Sequence, residues 1–317
     1  MKCFTKTYYT LFISLLTLLF TMLILSSFYD LDISLAIADQ NSVFGMINAS
    51  FGEAIGWGMM GVFGAMAFRI SSKVKKPVLK ALLIIFGLAL LATSIYLTFI
   101  DLNEAKNGFK AYSNVYVNVL ISFIIEVAIS FIAYLVIDID DLKTLLVFWV
   151  ILMLAYFVGL AVNFITKALV FRPRYSFINN YYGSMFSIFD LFEPWYLAAS
   201  KGAAESAFPV DIVYSDSFKS LPSQHSFVSM SSILLSFIPL LNKKVRNKNW
   251  VRYVVFTVAM LYGLSVQFGR IRFGSNYLSD TALGGLIAVI SSFAIPLIGF
   301  KVANKRGWLK ETKLDQA

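Results

Sequence analysis

Eight stretches of this chain are apolar for long enough to cross a lipid bilayer, and no other property narrows its possible folds as far. They lie near 8–28, 54–70, 78–100, 116–137, 143–166, 225–241, 251–269 and 280–300. A helical crossing takes ~20 predominantly apolar residues, and in lipid a span must satisfy its own backbone hydrogen bonds. Continuous apolar runs of this length meet that demand as helices. Of 317 residues, 58% are hydrophobic and 14% charged, against about 25% charged in a soluble domain. The expected fold is therefore all-α, a polytopic membrane helix bundle of about eight spans, with residues 1–317 forming a single integral membrane domain. The second stretch is short and rich in glycine (Gly56, Gly58, Gly61, Gly64). If it were re-entrant, every later span would reverse direction.

The basic residues argue that it does cross. Clusters stand at Lys2 and Lys6, at Arg69, Lys73, Lys75 and Lys76, at Lys243, Lys244, Arg246 and Lys248, and at Lys301, Lys305 and Arg306. With eight crossings all of these fall on one side, which the positive-inside rule makes cytoplasmic, together with both termini. The loop holding Asp138, Asp140, Asp141 and Lys143 adds little to that argument. The net charge of +9 is then accounted for by loops beside anionic lipid, without a nucleic-acid partner. The first apolar run is followed by Ser26-Ser27-Phe28-Tyr29-Asp30, which is no small-residue cleavage site, so it reads as a retained anchor. Cys3 is the only cysteine, which excludes an intrachain disulfide and a cysteine metal cluster.

Three polar patches, KALVFRPRY, LPSQHSF and GRIRFGSNYLSD, each adjoin an apolar run on the side opposite the basic clusters. Lys167, Arg172, Arg174 and Arg270 could hold an anion there, while His225 and Asp280 could move or orient a proton. Lys and Arg at span ends also serve as snorkelling anchors, and a lone interfacial histidine is often only a hydrogen-bonder. Ser223 precedes an apolar run and is suited to cap a helix whose N–H groups favour an anion. Asn276 and Asp280 stand four apart and would share a face if that stretch were helical. Between the first two patches, residues 175–221 form a long outward-facing segment with Phe177, Tyr181, Tyr182, Phe186, Phe189, Phe192, Trp195 and Tyr196. Such a segment suits either an interfacial packing role or a lip that admits a lipid headgroup.

Together the patches resemble the signature of the type 2 phosphatidic acid phosphatase superfamily, KxxxxxxRP, PSGH and SRxxxxxHxxxD, over roughly 143–300. Lys167 and Arg174 have the family spacing, as do Pro222, Ser223 and His225, and Arg270 stands ten residues before Asp280. The resemblance implies a six-span core and an outward-facing lipid phosphate phosphatase or phosphotransferase that uses no metal or other cofactor. It further implies that Lys167, Arg174, Arg270, Ser223 and the backbone at Gln224 bind phosphoryl oxygens, and that His225 protonates the leaving group. A second histidine, oriented by Asp280, would attack phosphorus. The implied setting is a bacterial plasma membrane, with phosphorylated lipid headgroups as partners.

The departures carry as much information. Tyr175, Gln224 and Gly269 replace proline, glycine and serine of the pattern, and Asn276 stands where the nucleophilic histidine belongs. An amide nitrogen has no available lone pair, and His225 is the only histidine in the chain. The covalent route is therefore lost, at a cost of several orders of magnitude in rate. Three readings stay open: a phosphatase attacked by water or by His225, a lipid-phosphate binding protein without turnover, and a transporter or scaffold. Glu126, an acid well inside an apolar run, serves the transport reading or an internal hydrogen bond. A soluble haloperoxidase has a similar site, but the spans argue against it and its vanadate ligand would again be a histidine at 276.

Overall fold

A computed structural model describes residues 4–104, 108–181, 192–198 and 216–309. In chain order the helices are α1 (Lys6–Ile37), α2 (Val43–Phe51), α3 (Ala54–Ser71), α4 (Pro77–Asn103), α5 (Val115–Val136), α6 (Leu142–Leu169), α7 (Tyr175–Tyr181), α8 (Gln224–Met230), α9 (Asn249–Arg272) and α10 (Leu278–Lys305). A 3₁₀ segment, Ser231–Leu241, prolongs α8. No β-strand occurs among the described residues, where only two isolated bridges form, Asp138 with Asn242 and Arg172 with Lys219. Local chemistry sets several starts: the side chains of Thr5, Ser42, Asn114, Asp141 and Ser223 each accept a hydrogen bond from a first-turn N–H.

Eight segments among the described residues are long and apolar enough to cross a membrane, α2 and α3 counting together as Val43–Ser71 and α8 with its extension as Gln224–Leu241. The chain is an all-helical membrane bundle. Val43–Ser71 and Gln224–Leu241 are 83% and 89% buried, against 22% for α4 and for α5, so the first two form the centre and the others the lipid-facing rim. This explains the glycines of the second stretch. A Cβ on Gly56 would lie 2.1 Å from the Val228 carbonyl oxygen, and one on Gly64 would lie 2.7 Å from that of Gly87. Helices approach that closely only where side chains are absent. The second stretch is thus short in hydropathy because it faces protein, and with α2 it reaches full crossing length.

The turns after α3, α5 and the α8 extension meet at one end of the bundle. Lys243 lies 3.9 Å from Asp138 and 2.5 Å from Asp140, and Lys73 lies 3.8 Å from Asp140. The acidic turn that told little about orientation is therefore matched by its basic neighbours, and Lys243 holds the Asp140 carboxyl below its usual range. The three polar patches gather at the opposite end. There α1 runs beyond its expected limit to Ile37 and carries Asp30 into the bundle. Most of the aromatic segment, 182–191 and 199–215, lies outside the described residues, including Tyr182, Phe186 and Phe189. Of its remainder, Trp195 donates from Nε1 to Ser27 Oγ at 3.1 Å, and the Phe192 ring packs on Tyr277.

Candidate active site

The patches meet because the segment leaving α6 pairs with the segment entering α8. Arg174 N–H donates to Ser217 O at 2.8 Å, and Ser220 N–H donates to Arg172 O at 3.2 Å. Ser223 N–H then donates to the Asp280 carbonyl at 2.9 Å. A Cβ on Gly284 would come within 2.3 Å of Ser223 O, so α10 lies directly on the start of α8. A cavity of about 300 Å³ opens beside this junction, lined by Lys167, Arg174, Gln224, His225, Asp101 and Asp216 among others. Arg270 stands behind it, 1% exposed, with Nη1 3.3 Å from His225 Nε2.

Arg172 belongs to a different cluster. Its Nη1 donates to Asp280 Oδ1 at 2.7 Å and to Ser279 Oγ at 2.6 Å, Nη2 to Asp30 Oδ2 at 2.8 Å, and Nε to Glu193 O at 2.8 Å. The guanidinium also lies 4.2 Å from the centre of the Tyr277 ring. Burial alone would disfavour its charge, but Asp280 and Asp30 outweigh that and raise its pKa. Burial pushes the Tyr277 phenol well up in the same cluster. The anions that Arg172 holds are thus two side chains of its own protein.

Asp280 follows from this. Besides Arg172 it accepts from Ser220 Oγ and from Tyr277 N–H, the latter at 2.8 Å. The helix expected to carry positions 276 and 280 on one face begins only at Leu278, so Asn276 precedes it. The Asn276 amide turns elsewhere: Oδ1 accepts from Arg270 Nε at 3.1 Å and from Ser223 Oγ at 3.4 Å, while Nδ2 donates to Ser220 O at 2.9 Å. It ties the second patch to the third and presents no nucleophile. Arg174 is held by Asp216, through Nε to the backbone oxygen at 2.8 Å and Nη2 to Oδ2 at 3.0 Å, and by Ser275 O at 3.0 Å.

The first half of the chain supplies what the patches did not reveal. Glu53, at the junction of α2 and α3 and 0% exposed, brings Oε1 within 2.6 Å of His225 Nδ1. At that separation the carboxylate and the ring form a short buried ion pair when the imidazole is protonated. Its Oε2 receives Gln224 Nε2 at 3.4 Å, and His225 Nε2 lies 3.0 Å from the Ala49 carbonyl. Asp101, from the end of α4, hydrogen-bonds Glu53 and receives Trp57 Nε1 at 2.9 Å. Ligand-type atoms of Glu53, Asp101 and His225 lie within 4.8 Å of one another, which makes them, among the described residues, a group that could hold a metal ion. Glu126 lies apart from this group in hydrogen bonds with Thr98 Oγ1, at 2.6 Å, and Ser94 Oγ.

The sequence carried one faint signal for these acids. Asp30, Glu53 and Asp101 each flank an apolar run on the side where the three patches lie. The departure at Gly269 also has a structural reason, since a Cβ there would lie 2.3 Å from Asn48 Cβ. Helix α2 occupies the space that a serine would use. Among known families, the model described as the PAP2 superfamily matches residues 146–303. No curated protein and no solved structure matches the chain.

Proposed function

Given that the chain belongs, through residues 146–303, to the PAP2 superfamily, we propose that it is a lipid phosphate phosphatase whose phosphoryl transfer goes to water. The substrate is a phosphomonoester or pyrophosphate on a lipid at the outer membrane face, and the basic turns and both termini are cytoplasmic. The observation that carries this reading is the cavity itself, where Lys167, Arg174 and His225 converge with Gln224. The cations, with Arg270 behind them, would stabilise the charge that spreads over the transferring phosphoryl oxygens. Exchange of the Asp216 carboxylate for a phosphate oxygen on Arg174 would seat the headgroup. His225 would protonate the departing lipid oxygen. With the Asn276 amide unable to attack, water takes the nucleophile's place, and a loose transition state asks comparatively little of it.

Phosphate release from phospholipids and polyprenyl pyrophosphates by the purified protein tests the reading. Activity is expected in the parent and in Asn276→His, and a loss of about 100-fold or more in His225→Ala. Arg174→Ala and Arg270→Ala should weaken binding of a phospholipid but not of its dephosphorylated form. A second reading, phosphate binding without turnover, has its own support in Asn276, whose amide is bonded at both ends. Tight binding with no release from any substrate, in parent and Asn276→His alike, would select it.

A further inference from the structure

We infer that Glu53, backed by Asp101, is the positioning carboxylate of His225: it holds Nδ1 and leaves Nε2 to deliver the proton to the departing lipid oxygen. This rests on the phosphatase reading, and it places part of the proton-handling group outside the family-matched stretch, since residues 53 and 101 precede residue 146. A carboxylate at one ring nitrogen fixes the tautomer and stabilises the imidazolium, so the other nitrogen is the one that exchanges a proton. In this chain the carboxylate is Glu53 Oε1, 2.6 Å from Nδ1. The Ala49 carbonyl, 3.0 Å from Nε2, accepts its hydrogen while the site rests, and Arg270 Nη1 stands 3.3 Å from the same nitrogen. Asp101 hydrogen-bonds Glu53 and so braces the carboxyl group. Lys167, Arg174, Glu104, Asp216 and Lys219 are the other charged groups around the cavity.

A metal ion on the same three side chains is the competing use of the site. Two ligands of one small cation, each bonded at ~2.1 Å, stand about 3 Å or more apart. The 2.6 Å approach of Glu53 to His225 is shorter than that and suits a direct pairing of carboxylate with imidazolium. Arg270 beside the ring, with Lys167 and Arg174 on the cavity wall, adds positive charge that a divalent cation would meet. In the step itself, the bond from phosphorus to the lipid oxygen breaks as Nε2 gives that oxygen its proton. Water forms the new P–O bond, and one of its protons returns to the ring through the phosphate product.

Because His225 is the only histidine, ¹⁵N-histidine labelling of the full chain gives one ring to observe. The parent should show a protonated Nδ1 bonded to carboxylate, a signature lost in Glu53→Gln and kept in Glu53→Asp. Rates are read beside it on an alkyl lipid phosphate and on p-nitrophenyl phosphate, whose leaving group needs no proton. In Glu53→Gln, kcat on the alkyl substrate should fall about 100-fold and on the aryl substrate less than about threefold, with KM nearly unchanged. A purely structural Glu53 would lower both rates together, and that result, or an identical ring signal in parent and Glu53→Gln, overturns the inference. A ring signal that moves on adding zinc or magnesium and returns with chelator overturns it in favour of a metal site. The ring signature without phosphate release from any substrate removes the phosphatase reading and the catalytic role with it.

Discussion

Asp280 and Glu53 are both 0% exposed at the same end of the bundle, and both face a basic side chain. Asp280 is saturated by Arg172, Ser220 Oγ and the Tyr277 N–H, donors that keep their hydrogens. Glu53 faces a ring that can gain or lose a proton, at the wall of a cavity. The first acid is a strut between α1, α10 and the segment after α6, while the second is the acid we propose for proton handling. A motif locates an acid, but the proton inventory of its neighbours decides its work.

The sharpest way to break this comparison is Arg172→Met, which would leave the Asp30 and Asp280 carboxylates buried without their cation. A loss of about 3–5 kcal/mol in unfolding free energy is expected. Glu53→Gln, by contrast, keeps shape and hydrogen-bonding capacity and should cost within about 1 kcal/mol. Equal unfolding curves for the two variants in detergent would erase the distinction. Smaller, at about 2 kcal/mol, is the expected cost of Gly269→Ser, whose Cβ collides with Asn48. Asn48→Gly, which removes the colliding Cβ, should recover part of it, and a double-mutant cycle without coupling would disprove that packing account. Asn276→Ala removes the acceptor of Arg270 Nε and the donor to Ser220 O, for about 1–2 kcal/mol by urea titration. Smallest is Asp140→Asn in the fully exposed pair with Lys243, where no shift in unfolding temperature is expected. Any stability from that depressed carboxyl is present at neutral pH and is lost as the pH falls through it, so a large change at pH 7 would be the surprise.

The spans were legible because each is a local run, and several caps because an acceptor side chain meets a nearby N–H. The residues lining the cavity on the patch side, Lys167, Arg174, Gln224 and His225, were legible as well. Arg172 was misjudged as an anion holder because Asp30, its partner, lies 142 positions away. The expected sharing of a helical face by Asn276 and Asp280 failed because the capping box of Tyr277 and Asp280 starts α10 after position 276. Glu53 and Asp101 looked like ordinary flanks of apolar runs, since nothing local tells an acid that meets lipid headgroups from one that meets histidine.

The amino-acid sequence by itself determined that the chain crosses a membrane as helices, which basic and polar groups stand at the ends of its spans, and that position 276 holds no nucleophile. Those are properties of single residues and of windows about one crossing long, where apolar transfer energies simply add. The tertiary structure alone decided which acid meets which base. Ion pairing is settled over a few ångströms, and those separations are set by how α1, α3 and α4 pack against helices far along the chain.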